Sequence, residues 1–278
     1  MTDDDQKSSV VGSLEAALAL LRGLDPPVAR QVTPDLLPSL LQQCEALTGA
    51  NPVDCVRTVH HFAATGGSLL SKFISAQPNV VLLSEIDPLS RIALSKAKPA
   101  FSPRSVIDQL RYTVRGNHED LIVEVFQAEI NALVAGLARR GQVLVLRDHA
   151  HSQYCVGPDV GQRPSLRAIV MAMLPVRSVV TVRHPLESYL SILQRDWVNL
   201  APATLEEYSR RYGRFLDDHA GVAIYRYEDF LAAPEPTLAG MCRSLDLSFD
   251  PGAMELHDLF AVSGIDQSAP SGPVAFCV

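Results

Sequence analysis

From Val53 onward the apolar residues fall into two textures. Some form short continuous runs of Val, Ile and Leu. Others recur every three or four residues over longer segments. Short runs bounded by turn residues predict buried strands, and the longer period predicts helices. VRTVHHF reads as a strand and SLLSKFISA as the helix after it. NVVLLSEI (Asn79–Ile86), QVLVLRDH (Gln142–His149) and RSVVTVRH (Arg177–His184) read as strands, and VAIYRYEDF as another with a polar end. HEDLIVEVFQAEINALVAGLARR predicts an amphipathic helix with Leu121, Val125, Phe126, Ile130, Leu133 and Leu137 on one side, stopped at Gly141. PLESYLSIL and EEYSRRYGRFLDDH predict two more helices. Apolar strands alternating with helices define an α/β fold with a mostly parallel central sheet flanked by helices.

The first 50 residues have a different pattern. Residues 1–9 are polar and acidic. Val10 to Leu24 has helical spacing, Asp25–Pro27 breaks it, and LLPSLLQQCEALTGAN gives a second helical segment. The expected organisation is a helical lead-in over 1–50, packed on a single α/β domain over 51–278.

Composition narrows the function classes. The chain has 278 residues, 47% hydrophobic and 20% charged, with a net charge of −7. A negative balance disfavours general nucleic-acid binding, which depends on neutralising phosphates. Cys44, Cys55, Cys155, Cys242 and Cys277 are scattered, with no CxxC pair. With a polar N-terminus unlike a secretory signal, they imply reduced thiols and a cytoplasmic location. No apolar run reaches the roughly 18 residues that span a bilayer, so no stable membrane insertion is expected.

In a parallel sheet the ligand crevice lies beyond the carboxyl ends of the strands. That rule selects His60–Ser68, Glu85–Asp87, Arg147–His151, Arg183–Ser191 and Tyr227–Asp229, with their polar side chains expected to face the crevice. The turn AATGGS joins the first strand to its helix. Backbone N–H groups there can surround an oxyanion, the helix N-terminus adds partial positive charge, and Ser68 adds a hydroxyl. The GxxxxGK[ST] pattern is not met, because nothing basic occupies the turn and Lys72 lies about one helical turn inside. A tight packing turn is the alternative reading. VVTVRHPLESYLS offers a second anion site. Arg183 ends a strand, Pro185 suits a first helical turn, and Ser191 follows eight residues after Arg183.

These stretches resemble the sulfotransferases that use 3′-phosphoadenosine 5′-phosphosulfate (PAPS). FAATGGSLL is similar to that family's 5′-phosphosulfate loop, VRHPLESYLS matches the spacing of its 3′-phosphate site, and YRYEDFLAAP resembles its YEDL-plus-proline stretch. The resemblance spans roughly Val53 to Pro234. It implies a P-loop-containing, sulfotransferase-like three-layer sandwich of bacterial type. It implies a PAPS cofactor, with 3′-phosphoadenosine 5′-phosphate (PAP) as product, held by Ala64, Thr65, Gly66, Gly67, Ser68, Leu69, Arg183 and Ser191. The strand-end triplet Arg147-Asp148-His149 looks like the family's K-x-H. This implies His149 as the catalytic base and Arg147 as its electrostatic partner. His151, His60 and His61 are rival bases, and one of His60 and His61 is expected to point inward.

The chain departs from the family in two places. The loop lysine falls at Ala64. The C-terminal segment has no Arg or Lys after Arg243, so Ser263 and Gly264, or Arg104, Arg111 and Arg115, are the candidates for closing over the cofactor. The expected function is transfer of a sulfuryl group from PAPS to a hydroxyl or amine of a small-molecule or carbohydrate acceptor. The alternatives are a catalytically impaired PAPS- or PAP-binding protein and a nucleotide or small-molecule kinase on the same scaffold. No metal is expected, since the HAH stretch has no partnering ligand set at metal spacing. The acceptor loops are expected over Asp87–Gly116 and Gln153–Arg167, the latter mobile.

Overall fold

The computed structural model describes residues 55–90, 105–111, 118–157, 160, 163–195, 197, 199–260 and 262. The chain divides after Asn51 into two units, and every described residue belongs to the second. The helical lead-in expected over 1–50 lies outside the described residues, as do Arg104, Arg115, Ser263 and Gly264.

Five strands form the sheet: β1 (Val56–His61), β2 (Val80–Ile86), β3 (Val143–Asp148), β4 (Val176–Val182) and β5 (Ala223–Arg226). The order is β2-β3-β1-β4-β5, and each neighbouring pair is parallel. Helices α1 (Gly67–Ser75), α2 (Val106–Arg111), α3 (Glu119–Ala138), α4 (Ala150–Tyr154), α5 (Leu166–Met171), α6 (Pro185–Gln194), α7 (Leu205–Asp218), α8 (Tyr227–Ala232) and α9 (Pro234–Leu245) precede a 3₁₀ segment, Pro251–Leu259.

The two-residue repeat of the strands sorts their side chains onto opposite faces. Val56, Leu144 and Leu146 pack with Ile122, Phe126, Ile130 and Val134 of α3 and with Leu166, Ile169 and Val170 of α5. Val59, Val145 and Val179 pack on the other face with Leu70, Phe73 and Ile74 of α1 and Leu238, Met241, Cys242 and Leu245 of α9. A third cluster, rich in aromatics, joins Phe62 and Val180 to Tyr154, Tyr189, Tyr208, Tyr212 and Phe215. Helices therefore cover both faces of a parallel sheet, as the strand–helix alternation predicts. Cys55, Cys155 and Cys242 are buried free thiols.

Three details differ from the sequence reading. The buried stripe of α3 is Ile122, Phe126, Ile130 and Val134, whereas Leu121 and Leu133 are exposed. The stripe packs on β3 and α5, with the partly buried Val123 and Leu137 beside it. By length and composition α3 is also apolar enough to cross a membrane, with 20 residues and a mean hydropathy of 1.6, contrary to the expectation that no segment is. Its buried stripe lies on the sheet, each large side chain contributing about 1.5–3 kcal/mol. Lastly, YEDF does not extend β5: the strand stops at Arg226 and α8 begins at Tyr227.

Candidate functional site

The carboxyl edge of β1, β3 and β4 gathers the strand-end residues. The register pairs Val59 with Arg147 and His61 with Thr181. The turn after β1 thus sits between the end of β3 and the end of β4, where the order of the sheet reverses.

Within the turn, Ala64 adopts a left-handed conformation at φ 60° and Gly66 at φ 82°. Thr65 turns its donors back onto β1: its hydroxyl bonds the Phe62 carbonyl at 2.8 Å and its N–H approaches the same oxygen at 3.4 Å. Gly66 caps α1 without a side-chain cap, and the amides of Gly67, Ser68 and Leu69 belong to the first turn, where no intrahelical acceptor exists. Both glycines are also packing requirements. A Cβ on Gly67 would lie 1.6 Å from His61 Cδ2, and one on Gly66 would lie 2.2 Å from Tyr227 Cδ2.

His60 and His61 point to opposite faces, and both are buried. On the α1 face, Arg147 is 3% exposed. Its Nε donates to His61 Nε2 at 2.7 Å, one Nη to Ser84 Oγ at 2.7 Å, and the other to Ser68 Oγ at 2.8 Å. His61 must therefore carry its proton on Nδ1. Burial and the Arg147 charge hold it well below the ordinary histidine pKa, so it is neutral. Burial also lowers the pKa of Arg147, with Glu85 opposing that shift.

Glu85 links this network to His149. One carboxylate oxygen pairs with Arg147 at 2.7 Å and the other faces His149 Nε2 at 3.4 Å. Glu85 stands at a bulge in β2, at φ 58°. A left-handed φ outside glycine is strained and persists where the surroundings hold it, and a bulge re-aims a side chain. His149 is the N-cap of α4, with its side chain 22% exposed. His151 is the second residue of α4, its pKa lowered to about 4 by burial and by His149.

On the opposite face, His60 bonds Asp148 Oδ2 at 2.7 Å and Thr58 Oγ1 at 2.8 Å. Burial lowers the His60 pKa to about 3 and raises that of Asp148 to about 7. The ring of His219, at the end of α7, stands 4.4 Å from that of His60. These strand-end groups were expected to face the crevice. Instead His60, His61, Arg147 and Asp148 are buried, because neighbouring strands let them satisfy one another.

At the β4 end, Tyr212 Oη accepts from the Arg183 N–H at 3.1 Å and donates to the Arg183 carbonyl at 3.0 Å. The Arg183 side chain pairs with Glu187 at 3.1 Å and lies 5.4 Å from the Tyr227 ring centroid. Glu187 and Ser191 lie one turn apart on α6, which puts them on one stripe, and Arg183 reaches that stripe from just before the helix N-cap through its pairing with Glu187. Ser191 is half-buried. Tyr227, which also packs on Gly66, connects the turn to Arg183. Its place at a strand end was legible, whereas its contact with both candidate anion sites was not.

The segment Gln153–Arg167 is anchored at both ends. Tyr154 and Cys155 are buried in the core. Arg163 pairs with Asp87 through two bonds, one of them 2.6 Å, and Ser152 joins them. Burial favours a raised Asp87 pKa, but the Arg163 bonds and charge prevail and lower it. Arg111, a candidate for closing over the cofactor, donates to the Pro88 carbonyl.

No protein-family model matches the chain, and no curated protein matches it. Among solved structures, the sulfotransferase domain of the Synechococcus PCC 7002 olefin synthase is 17% identical, with a TM-score of 0.46, over 72% of this chain and 75% of that one. A Mycobacterium tuberculosis H37Rv sulfotransferase is 13% identical, with a TM-score of 0.43, over 79% and 75%. An Alicyclobacillus acidocaldarius sulfotransferase is 15% identical, with a TM-score of 0.40, over 72% and 88%.

Proposed function

We propose that this chain is a PAPS-dependent sulfotransferase that acts on a hydroxyl or amine of a small-molecule or carbohydrate acceptor. The observation that carries the proposal is the pairing of His61 with Thr181 in β1 and β4. It sets an uncapped helix N-terminus and a strand-end arginine side by side on one edge, which suits a ligand with two separate anionic groups. The amides of Gly67, Ser68 and Leu69 receive the 5′-phosphosulfate, and the Ser68 hydroxyl, accepting from Arg147, keeps its own proton to donate. Thr65 supports the turn rather than the ligand, and Ala64 supplies the left-handed step into it. Arg183 and Ser191 receive the 3′-phosphate. When bound, PAPS supplies the sulfuryl group and leaves as PAP.

His149, partly exposed at the end of β3, removes the acceptor proton. Glu85 orients its ring. Arg147 is a positioning residue: it fixes Ser68 on one side and Glu85 on the other, and its buried guanidinium lends positive charge beneath a turn that has no lysine of its own.

Calorimetric titration with PAP, with AMP in parallel, tests the two anion sites. Clear binding of PAP and much weaker binding of AMP is expected, while equal affinities would remove the Arg183–Ser191 site. A second reading, binding without turnover, is favoured by Ala64 and by the commitment of Arg147 to Glu85 and His61. It predicts PAP binding with no sulfuryl transfer from PAPS to any acceptor in a broad panel.

A further inference from the structure

The buried cluster behind the candidate site has no role in the proposed reaction. His60 comes from β1, Asp148 from β3 and His219 from the end of α7. All three are buried, and one potential ligand atom from each lies within 4.8 Å of the others. No sequence spacing announces this set, because 88 residues separate His60 from Asp148 and a helix end supplies the third member.

The surroundings prepare each imidazole in the manner of a metal ligand. His219 Nδ1 bonds the Phe215 carbonyl at 2.7 Å, so that nitrogen carries the proton. Its Nε2 is left as a bare lone pair, and among the described residues this buried atom has no hydrogen-bond partner. A buried acceptor without a partner is destabilising, because the hydrogen bond it would make to water is lost and not replaced. His60 Nε2 bonds Thr58 Oγ1, and Thr58 Oγ1 in turn meets Ser178 Oγ at 2.8 Å, where either hydroxyl can donate. With Thr58 donating to Ser178, His60 Nε2 donates to Thr58. His60 Nδ1 is then a lone pair facing the Asp148 carboxylate. Each histidine has its outer nitrogen fixed by an oxygen, while the inner nitrogen of His60 meets the Asp148 carboxylate and that of His219 is unpaired among the described residues, which is how second-shell partners hold imidazole ligands.

We propose that His60, Asp148 and His219 form a binding site for one divalent transition-metal ion of the Zn²⁺ type. Two imidazoles and a carboxylate suit this class of ion, with water completing the shell. Without the ion, one proton bridges His60 Nδ1 and Asp148 Oδ2. The ion takes the place of that proton, which passes to solvent. The ion ties β1 and β3 to the end of α7, directly behind His149.

The test uses the full chain, stripped with a chelator and titrated with Zn²⁺ alone, with Co²⁺ as a spectroscopic probe. The expected results are one ion retained per chain after desalting, visible absorption of low-symmetry Co²⁺ that Zn²⁺ abolishes, and a rise in the thermal midpoint with added Zn²⁺. His219→Gln should reduce binding to background. Thr58→Val should weaken it by about 10–100-fold. His118→Ala, at the half-buried N-cap of α3, should bind like wild type. If wild type retains no ion and its melting is unchanged by Zn²⁺, the site does not exist. If folded His219→Gln binds as tightly as wild type, the ion lies elsewhere and the proposal is equally overturned. The wild-type titration decides the matter even where a variant fails to fold.

Discussion

Arg147 reaches from the end of β3 to Ser68 in the first turn of α1, a contact of 2.8 Å. It joins the glycine turn to the strand that ends beside the candidate base. Arg147→Ala would leave Glu85 and His61 without their shared partner. Removing one member of a buried ion pair costs about 3–5 kcal/mol. Urea unfolding should report a loss of that size, and PAP affinity should fall with it. A variant as stable as wild type would show that the guanidinium is dispensable to the turn.

Gly67→Ala places a methyl group against the His61 ring. Overpacking of this kind costs about 1–3 kcal/mol. His61→Ala opens the space, so the double variant should be more stable than the sum of the two single losses predicts. Strict additivity in a double-mutant cycle would mean that the two groups do not compete for the same volume.

Arg183→Ala should fold normally, because the side chain is partly exposed and its pairing partner Glu187 is 56% exposed. Losing charge-assisted bonds to a phosphate costs about 1.5–3 kcal/mol, or roughly 10–100-fold in affinity. The loss should fall on PAP and leave AMP nearly unchanged. Equal losses for both nucleotides would move the 3′-phosphate away from Arg183.

His149→Ala should lower sulfuryl transfer by about 10²–10⁴-fold, the range for a general base, with PAP affinity nearly intact. Glu85→Gln should lower turnover less and alter its pH profile, since it acts through the histidine. If His149→Ala retains full turnover, His151 becomes the base to examine.

The parallel sheet and its helices were legible in the sequence because period-2 and period-3.6 patterns report burial directly. The turn, Arg183 and Arg147 were legible because strand ends in such a sheet form its crevice. Glu85 was legible only as a position. Nothing in VVLLSEI announces the bulge that swings its carboxylate between Arg147 and His149. The alternation of His60 with His61, and of Arg147 with Asp148, was available from strand geometry. Their separation into two buried networks also required the register of β1 with β3. The C-terminal limit of β5 was misread because YEDF carries enough apolar character for either state, and the contacts of Tyr227 and Phe230 decide it.

The central position of β1 sets the order in which the molecule can assemble. Thr58 meets Ser178 across 120 residues of chain, and both neighbours of β1 emerge long after it. During synthesis at about 5–20 residues per second, the first strand and its glycine turn wait roughly 10 s for β4. Pairings this distant fold slowly. Until β3 emerges, the segment from Cys55 to Phe62 is an unpaired edge on both sides, and until β4 emerges it stays open on one. Chaperone capture of this nascent segment, released once β4 has emerged, would follow from strand order alone.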